Sequence, residues 1–307
     1  MSDARPMNLP ASVKQRLLNL SRETQVEFNV LLTKYSLERF LYRMSVSRSR
    51  THLILKGALL FGIWSRELHR TTRDADVLDL KPQSLKRLVL DFRNICEAEV
   101  EPDGICFLPE SVRAQEIRRQ NMFGGIRITL LGVMGKAKVP LQIDVGFGDA
   151  CVPPAEFVKY PVLLDFPAPR LKAYTRETMI VEKFLAMVAL GMRNSRMKDY
   201  FDIFFLLQKF SFKGKDLSEA LIATFEKQKT PIPRRTPRGL SSDFALDPMK
   251  RVQWNSFLVQ TNAKNIENDF VEVVEAIRKF LMPAAAATAR SIPFEKLWSP
   301  GGPWKVL

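Results

Sequence analysis

The chain has 307 residues, 46% hydrophobic and 26% charged, ordinary values for a soluble globular protein long enough for two lobes. Its three cysteines lack any Cys-x-x-Cys pair, which excludes a disulfide framework and a zinc motif; no apolar stretch reaches a bilayer span, and the first residues lack a secretory h-region. With 47 Lys and Arg against 33 Asp and Glu, the net charge of +14 favours polyanions such as nucleic acid, nucleotide phosphates or an acidic protein, and a soluble cytoplasmic protein is expected.

In chain order, residues 11–46 read as helical, with breaks near Ser21 and Ser36 and apolar positions at Val26, Val30, Leu31, Leu37, Phe40 and Leu41. A basic loop from Ser45 to Arg50 follows, either solvated or in contact with phosphates. Leu53–Leu55 then reads as a strand that meets Gly57, where the backbone can turn tightly. Leu59–Leu68 has helical spacing, and Arg70-Thr-Thr-Arg73 leads into Asp74-Ala75-Asp76 and the apolar Val77-Leu78.

In a strand, Asp74 and Asp76 project from one face. Two adjacent carboxylates repel unless a cation neutralises them, and a hard divalent ion with oxygen ligands, Mg²⁺, is the simplest solution. An acidic strand edge is the plainer alternative.

Ser84 is placed to cap a helix with Leu85, Leu88, Phe92 and Ile95 on its buried face. A short strand is expected at Gly104–Leu108, and strands at Ile126–Leu131 and Val139–Val145 are joined through a hairpin over Gly132–Lys138. Asp144, between Ile143 and Val145, is a third candidate carboxylate, binding metal or deprotonating an attacking hydroxyl; a salt-bridged residue at the strand end is the alternative. Asp149 on the exit loop is a weaker candidate.

The five prolines of Pro153–Pro169 predict an extended linker. Thr175 caps a helix over Arg176–Leu190 that stops at Gly191, with Ile180, Phe184, Met187 and Val188 buried and Lys183 at the stripe edge. A second helix runs from about Met197 to Lys209 and carries Lys198, Asp199 and Asp202; Asp199 there either serves function or complements the helix N-terminus. Asp216-Leu-Ser-Glu219 reads as a capping box, 229–238 as a basic Pro-rich loop, Asn265–Leu281 as an amphipathic helix, and the chain after about 284 as a flexible tail.

Three stretches carry a resemblance: Lys56-Gly-Ala…Arg-Asp-Ala-Asp76, Ile143-Asp-Val-Gly-Phe-Gly-Asp149, and Tyr174-Thr-Arg-Glu-Thr-Met-Ile-Val-Glu-Lys183…Arg193-Asn-Ser-Arg-Met-Lys-Asp-Tyr-Phe-Asp202. Together they resemble the AbiEii family of nucleotidyltransferase toxins from toxin–antitoxin and abortive-infection systems. The likeness covers about residues 50–210.

It implies an α+β fold: a DNA-polymerase-β-like nucleotidyltransferase lobe with a mixed sheet (1–165) and a mainly helical lobe (166–307) that completes the active site. It further implies Mg²⁺ on Asp74 and Asp76, to which the layout of the strands adds Asp144 as a candidate third carboxylate. Lys183 would neutralise phosphates, Asp199 complete the constellation, and Lys198 and Asp202 support it. Gly57, Ala58 and Arg73 join Lys183, Lys198 and Asp202 in the implied nucleotide-binding set. Ala58 departs from the usual Gly-Ser or Gly-Gly and removes a serine hydroxyl from the phosphate site.

The implied reaction is NMP transfer from an NTP to an acceptor hydroxyl at the 3′ end of tRNA, with a cognate antitoxin as a further partner. Transfer onto a protein side chain and a non-catalytic nucleotide- or partner-binding module are the competing functions.

Overall fold

Asn8 opens helix α1 (Leu9–Thr24): its side chain accepts from the Ala11 N–H, and Pro10 sits in the first turn, where a missing donor costs nothing. The computed structural model describes residues 8–65, 72, 74–81, 84–117, 124–261 and 269–306. The chain divides into two units, Met1–Gly148 with Glu156–Ala173, and Asp149–Ala155 with Tyr174–Leu307.

In the first unit, α1 ends at Gln25, which adopts φ +57°, and α2 runs Phe28–Val46 without interruption. No break occurs at Ser36, because its hydroxyl turns back to the Leu32 carbonyl of its own helix. The expected basic loop is therefore the end of α2 followed by a single 3-10 turn, Arg48–Thr51. Helix α2 also buries charge. Arg43 forks onto Asp103 at 2.7 and 3.0 Å, and the wholly buried Arg39 pairs with Glu38 at 3.0 Å while its guanidinium lies over Tyr42 and Phe166.

The sheet is built from β1 (Leu53–Lys56), β2 (Asp74–Asp79), β3 (Cys106–Ile117), β4 (Gly125–Met134), β5 (Ala137–Phe147), β6 (Glu156–Lys159) and β7 (Arg170–Ala173), in the order β3-β4-β5-β2-β1-β7-β6. It is mixed: β2 runs parallel to β5 and β1 parallel to β7, and the other pairs are antiparallel. Between β1 and β2 lies a short helix, α3 (Leu60–Trp64); Leu68 and the rest of the expected helix lie outside the described residues.

Helix α4 (Leu85–Cys96) starts at Ser84, whose hydroxyl accepts from the Arg87 N–H, and it buries Leu88, Phe92 and Ile95, leaving Leu85 at the rim. Phe40 of α2 stacks on Phe92 and meets Phe107 of β3 edge-on, which joins both helices to the sheet. Two sequence expectations change here. Strand β3 is more than twice the expected length and takes Pro109 because it is an edge strand. The proline-rich segment holds β6, whose Pro-free Glu156–Lys159 pairs with β7 at the other edge.

The second unit contains α5 (Arg176–Leu190), α6 (Met197–Lys209), β8 (Phe212–Lys213), α7 (Gly214–Lys227), α8 (Ser242–Leu246), α9 (Pro248–Thr261), α10 (Phe270–Thr288), β9 (Lys296–Trp298) and β10 (Trp304–Val306). Thr175 caps α5 by accepting from the Thr178 N–H, and Gly191 ends it at φ +51°. Helix α7 begins at Gly214, two residues before Asp216, so the expected capping box is not formed. Ala284–Ala287 is the last part of α10, where high helix propensity and the burial of Ala284 and Ala285 hold it. The segment after it is anchored by Trp298 and Trp304, whose indole N–H groups donate to the Leu207 and Phe280 carbonyls. Among the described residues, no helix is long and apolar enough to cross a membrane.

Candidate functional site

Strand β2 alternates as its composition requires. Ala75 and Val77 are buried on one face, and Asp74 and Asp76 project, half-buried, from the other. Thr72 fixes the first carboxylate, its hydroxyl donating to Asp74 Oδ1 at 2.8 Å. The second lies directly over Gly57. That residue holds φ +74°, and a Cβ there would overlap the Asp76 carboxylate, 2.8 Å from its Cβ and Cγ. Glycine is thus required twice over, by the left-handed backbone and by the approach of Asp76. Gly57 and Ala58 open a 3-10 turn, Gly57–Leu59, at the end of β1.

Register brings a third carboxylate alongside. Asp144 of β5 is the Cα partner of Asp76, so both side chains leave the same face of the sheet. The same row extends on both sides, since Arg127 of β4 is opposite Asp144 and Lys56 of β1 is opposite Asp76. Arg127 grips Asp144 with a two-pronged bond, Nε to Oδ1 and Nη2 to Oδ2, both at 2.9 Å. The carboxylate is nearly buried while the guanidinium is 38% exposed.

Asp74 and Asp76 offer hard oxygen donors on one rigid strand, which fits a divalent metal. Asp144 lies beside them with both oxygens turned to Arg127, and among the described residues no three such ligands converge on one point. Arg73 lies outside the described residues. Arg127 escaped the sequence reading, although its alternation with Ile126 and Ile128 does place it on the polar face of β4.

The second unit holds a separate charged cluster. Lys183 of α5 is not at a solvated edge: its Nζ donates to Asp199 Oδ1 and Asp202 Oδ2, both at 2.8 Å, and its side chain is 12% exposed against 0% for either aspartate. The i, i+3 spacing of the two aspartates puts them on one face of α6. Arg196 completes the cluster, Nε donating to Asp199 Oδ2 at 2.5 Å.

Burial pushes the Asp199 carboxyl upward, but Lys183 and Arg196 outweigh it and hold the group below its ordinary range. The loop before α6 is pinned by Lys250, which donates to the Asn194 carbonyl, while Tyr200 donates to the Gly239 carbonyl. Lys198 points to solvent, apart from the cluster. Arg193 and Arg238 are exposed on two neighbouring 3-10 turns.

Two solved structures from Helicobacter pylori are similar at 15% identity. One is a candidate nucleotidyltransferase, with TM-score 0.48, covering 87% of this chain and 97% of its own. The other is JHP933, with TM-score 0.46, covering 86% and 93%. No curated protein matches the chain. The family model described as nucleotidyl transferase AbiEii toxin, type IV toxin–antitoxin system, matches residues 39–276, more than three quarters of the sequence. The chain belongs to the AbiEii family of nucleotidyltransferase toxins and is a nucleotidyltransferase.

Proposed function

We propose that this nucleotidyltransferase acts in the cytoplasm as a toxin that transfers NMP from an NTP to the 3′-terminal hydroxyl of a tRNA, using Mg²⁺. The first unit would then serve as a polymerase-β-like catalytic lobe. The observation that carries the reading is the pair Asp74 and Asp76 on one strand face, with Gly57 lacking the Cβ that would displace Asp76. Family membership supports an NTP substrate, a divalent metal and an antitoxin partner.

When bound, the metal supplies charge neutralisation at the triphosphate and a fixed orientation for the reacting phosphate. Asp74 and Asp76 would hold it, and Thr72 keeps Asp74 in its rotamer. Backbone N–H groups of the Gly57–Leu59 turn are suited to the phosphates, without a hydroxyl from Ala58. Lys183 would neutralise charge on the leaving group by exchanging part of its bonding to Asp199 and Asp202 for phosphate oxygens. Lys198 is assigned to the nucleotide phosphates on its charge and exposure.

In the reaction the acceptor oxygen bonds to the α-phosphorus as the α–β bridging bond breaks. Pyrophosphate leaves with that bond's electron pair, and the hydroxyl proton passes to solvent. Exposed Arg193, Arg234, Arg235 and Arg238 would bind tRNA phosphates.

The test is incubation with each labelled NTP, Mg²⁺ and total RNA. Label is expected in the tRNA band, and Asp76→Asn should abolish it without unfolding the protein. Label on protein alone would replace tRNA by a protein acceptor, and full activity in Asp76→Asn would remove the metal assignment.

A further inference from the structure

We infer that Arg127 is a built-in counter-ion that occupies Asp144 until a divalent cation binds, so that the metal must displace it. The inference rests on the reading of Asp74 and Asp76 as metal ligands. Across the sheet the row runs Arg127, Asp144, Asp76, Lys56, two carboxylates flanked by two cations, with Asp74 two residues along β2 from Asp76.

Adjacent strands lie about 4.8 Å apart, so Asp76 and Asp144 leave the sheet as close neighbours, and ionised together they repel. Arg127 relieves that repulsion in the metal-free protein. Its fork covers both oxygens of Asp144 in the geometry a carboxylate otherwise presents to a cation. A metal using Asp144 as a ligand therefore competes directly with the guanidinium.

Of the two flanking cations, Arg127 is the one able to leave. Its guanidinium is partly in solvent, whereas Lys56 is buried. It also has a second resting place. With the Gln142 amide oriented oxygen-first, that oxygen accepts from Arg127 Nε and Nη2 at 3.2 and 3.1 Å, and Gln142 is the cross-strand partner of Asp74. The guanidinium can release Asp144 without losing every acceptor.

Competition fixes the sign of the test. Removing Arg127 should tighten metal binding, whereas a residue that merely braces the site would weaken it when lost. Binding of Mn²⁺ without nucleotide is to be measured by electron paramagnetic resonance on the full chain and its Arg127→Met, Arg127→Lys and Asp76→Asn variants. Arg113→Met controls for net charge, since among the described residues Arg113 on β3 donates to the nearby Glu110 and Val112 carbonyls and to no carboxylate.

Arg127→Met should bind about tenfold more tightly than wild type, within the usual range of coupling between two sites. Arg127→Lys, which keeps the charge and loses the fork, should fall between them, and Arg113→Met should stay within about twofold of wild type. The rise in melting temperature on adding Mn²⁺ should likewise be larger in Arg127→Met.

Binding in Arg127→Met equal to or weaker than wild type overturns the inference while leaving the metal site intact, provided Asp76→Asn loses binding. Equal weak binding in wild type, Arg127→Met and Asp76→Asn overturns the metal reading and this inference together. If Arg127→Met does not fold, Arg127→Lys decides alone: affinity no better than wild type refutes displacement.

Discussion

Lys183 is the residue at which structure and chemistry can be separated most sharply. Replacing it by Met keeps the aliphatic stem and deletes the ammonium that lies 2.8 Å from both Asp199 and Asp202. Both carboxylates are fully buried, and among the described pairings Arg196 would remain on Asp199. Breaking one partner out of a buried ion pair costs about 3–5 kcal/mol. At about 2–4 °C per kcal/mol for a chain of this size, the melting temperature should fall by roughly 10 °C.

Adding Asp202→Asn to Lys183→Met removes the charge left behind, so the double variant should recover at least half of that loss. Scanning calorimetry reads the stability, and labelled-NMP transfer at 20 °C reads turnover in all three proteins. If Lys183 also neutralises phosphate charge, transfer falls on the order of 10²-fold or more and stays low in the double variant despite its restored stability. A drop below about 2 °C in Lys183→Met would refute the account of the buried cluster. Turnover restored along with stability would confine Lys183 to a structural role.

Gly57→Ala should lose transfer with a stability cost of about 1–2 kcal/mol, because the new methyl meets Asp76 and the backbone sits at φ +74°; wild-type transfer in the variant would contradict the fit of Asp76 over Gly57. Asp199 has a folded pKa below its ordinary value of 3.8, so its contribution is present above that pH and is lost as pH falls through the lower folded value. The stability gap between wild type and Asp199→Asn should therefore be flat at neutral pH and close only below about pH 4, by calorimetry at stepped pH. Affinity for tRNA should fall log-linearly with salt, and neutralising Arg234, Arg235 and Arg238 should flatten the slope equally for every tRNA; a salt-independent affinity would remove nucleic acid as acceptor.

The carboxylate strands and the Lys183 helix were legible because each is declared locally. Apolar alternation marks β2 and β5, and Thr175 and Gly191 bracket α5. The Arg127–Asp144 pair was not, because it depends on register rather than on local pattern. The β4–β5 hairpin turns on Gly135 and Lys136, with Gly135 at φ +58°, and partners are symmetric about that turn. The wider loop expected over Gly132–Lys138 has its centre at Gly135, which would pair Asp144 with Ile126 and miss the arginine. The buried Arg39 and Arg43 were hidden for another reason. Each is a charged residue inside a helix whose apolar stripe already accounts for burial, and apart from the Glu38 beside Arg39 their acceptors lie in distant loops, Pro167 for Arg39 and Asp103 for Arg43. Sequence spacing carries no trace of such contacts. The strand β6 was concealed by its flanking prolines, which describe the ends of the segment and not its middle.

The charge pattern also orders the binding events. On β2 and β5, Asp76 and Asp144 stand side by side with Asp74 two residues along, so a bare triphosphate approaching them meets clustered carboxylates that repel it. In the second unit, Lys183 and Arg196 are balanced by Asp199 and Asp202 and offer little surplus charge. The excess of +14 resides instead on exposed side chains such as Arg48, Arg50, Arg193, Arg234, Arg235 and Arg238. Two polyanions should therefore behave differently towards the same protein. RNA, met by exposed arginines, should bind whether or not a divalent ion is present, because its affinity comes from counterion release. The NTP should bind only when a divalent ion neutralises the carboxylates it must approach. Fluorescence titrations of tRNA and of a labelled NTP analogue, each with Mg²⁺ and with EDTA, distinguish the two. NTP affinity unchanged by EDTA would mean that the nucleotide is held away from Asp74 and Asp76, and the carboxylate face would lose its place in the reaction.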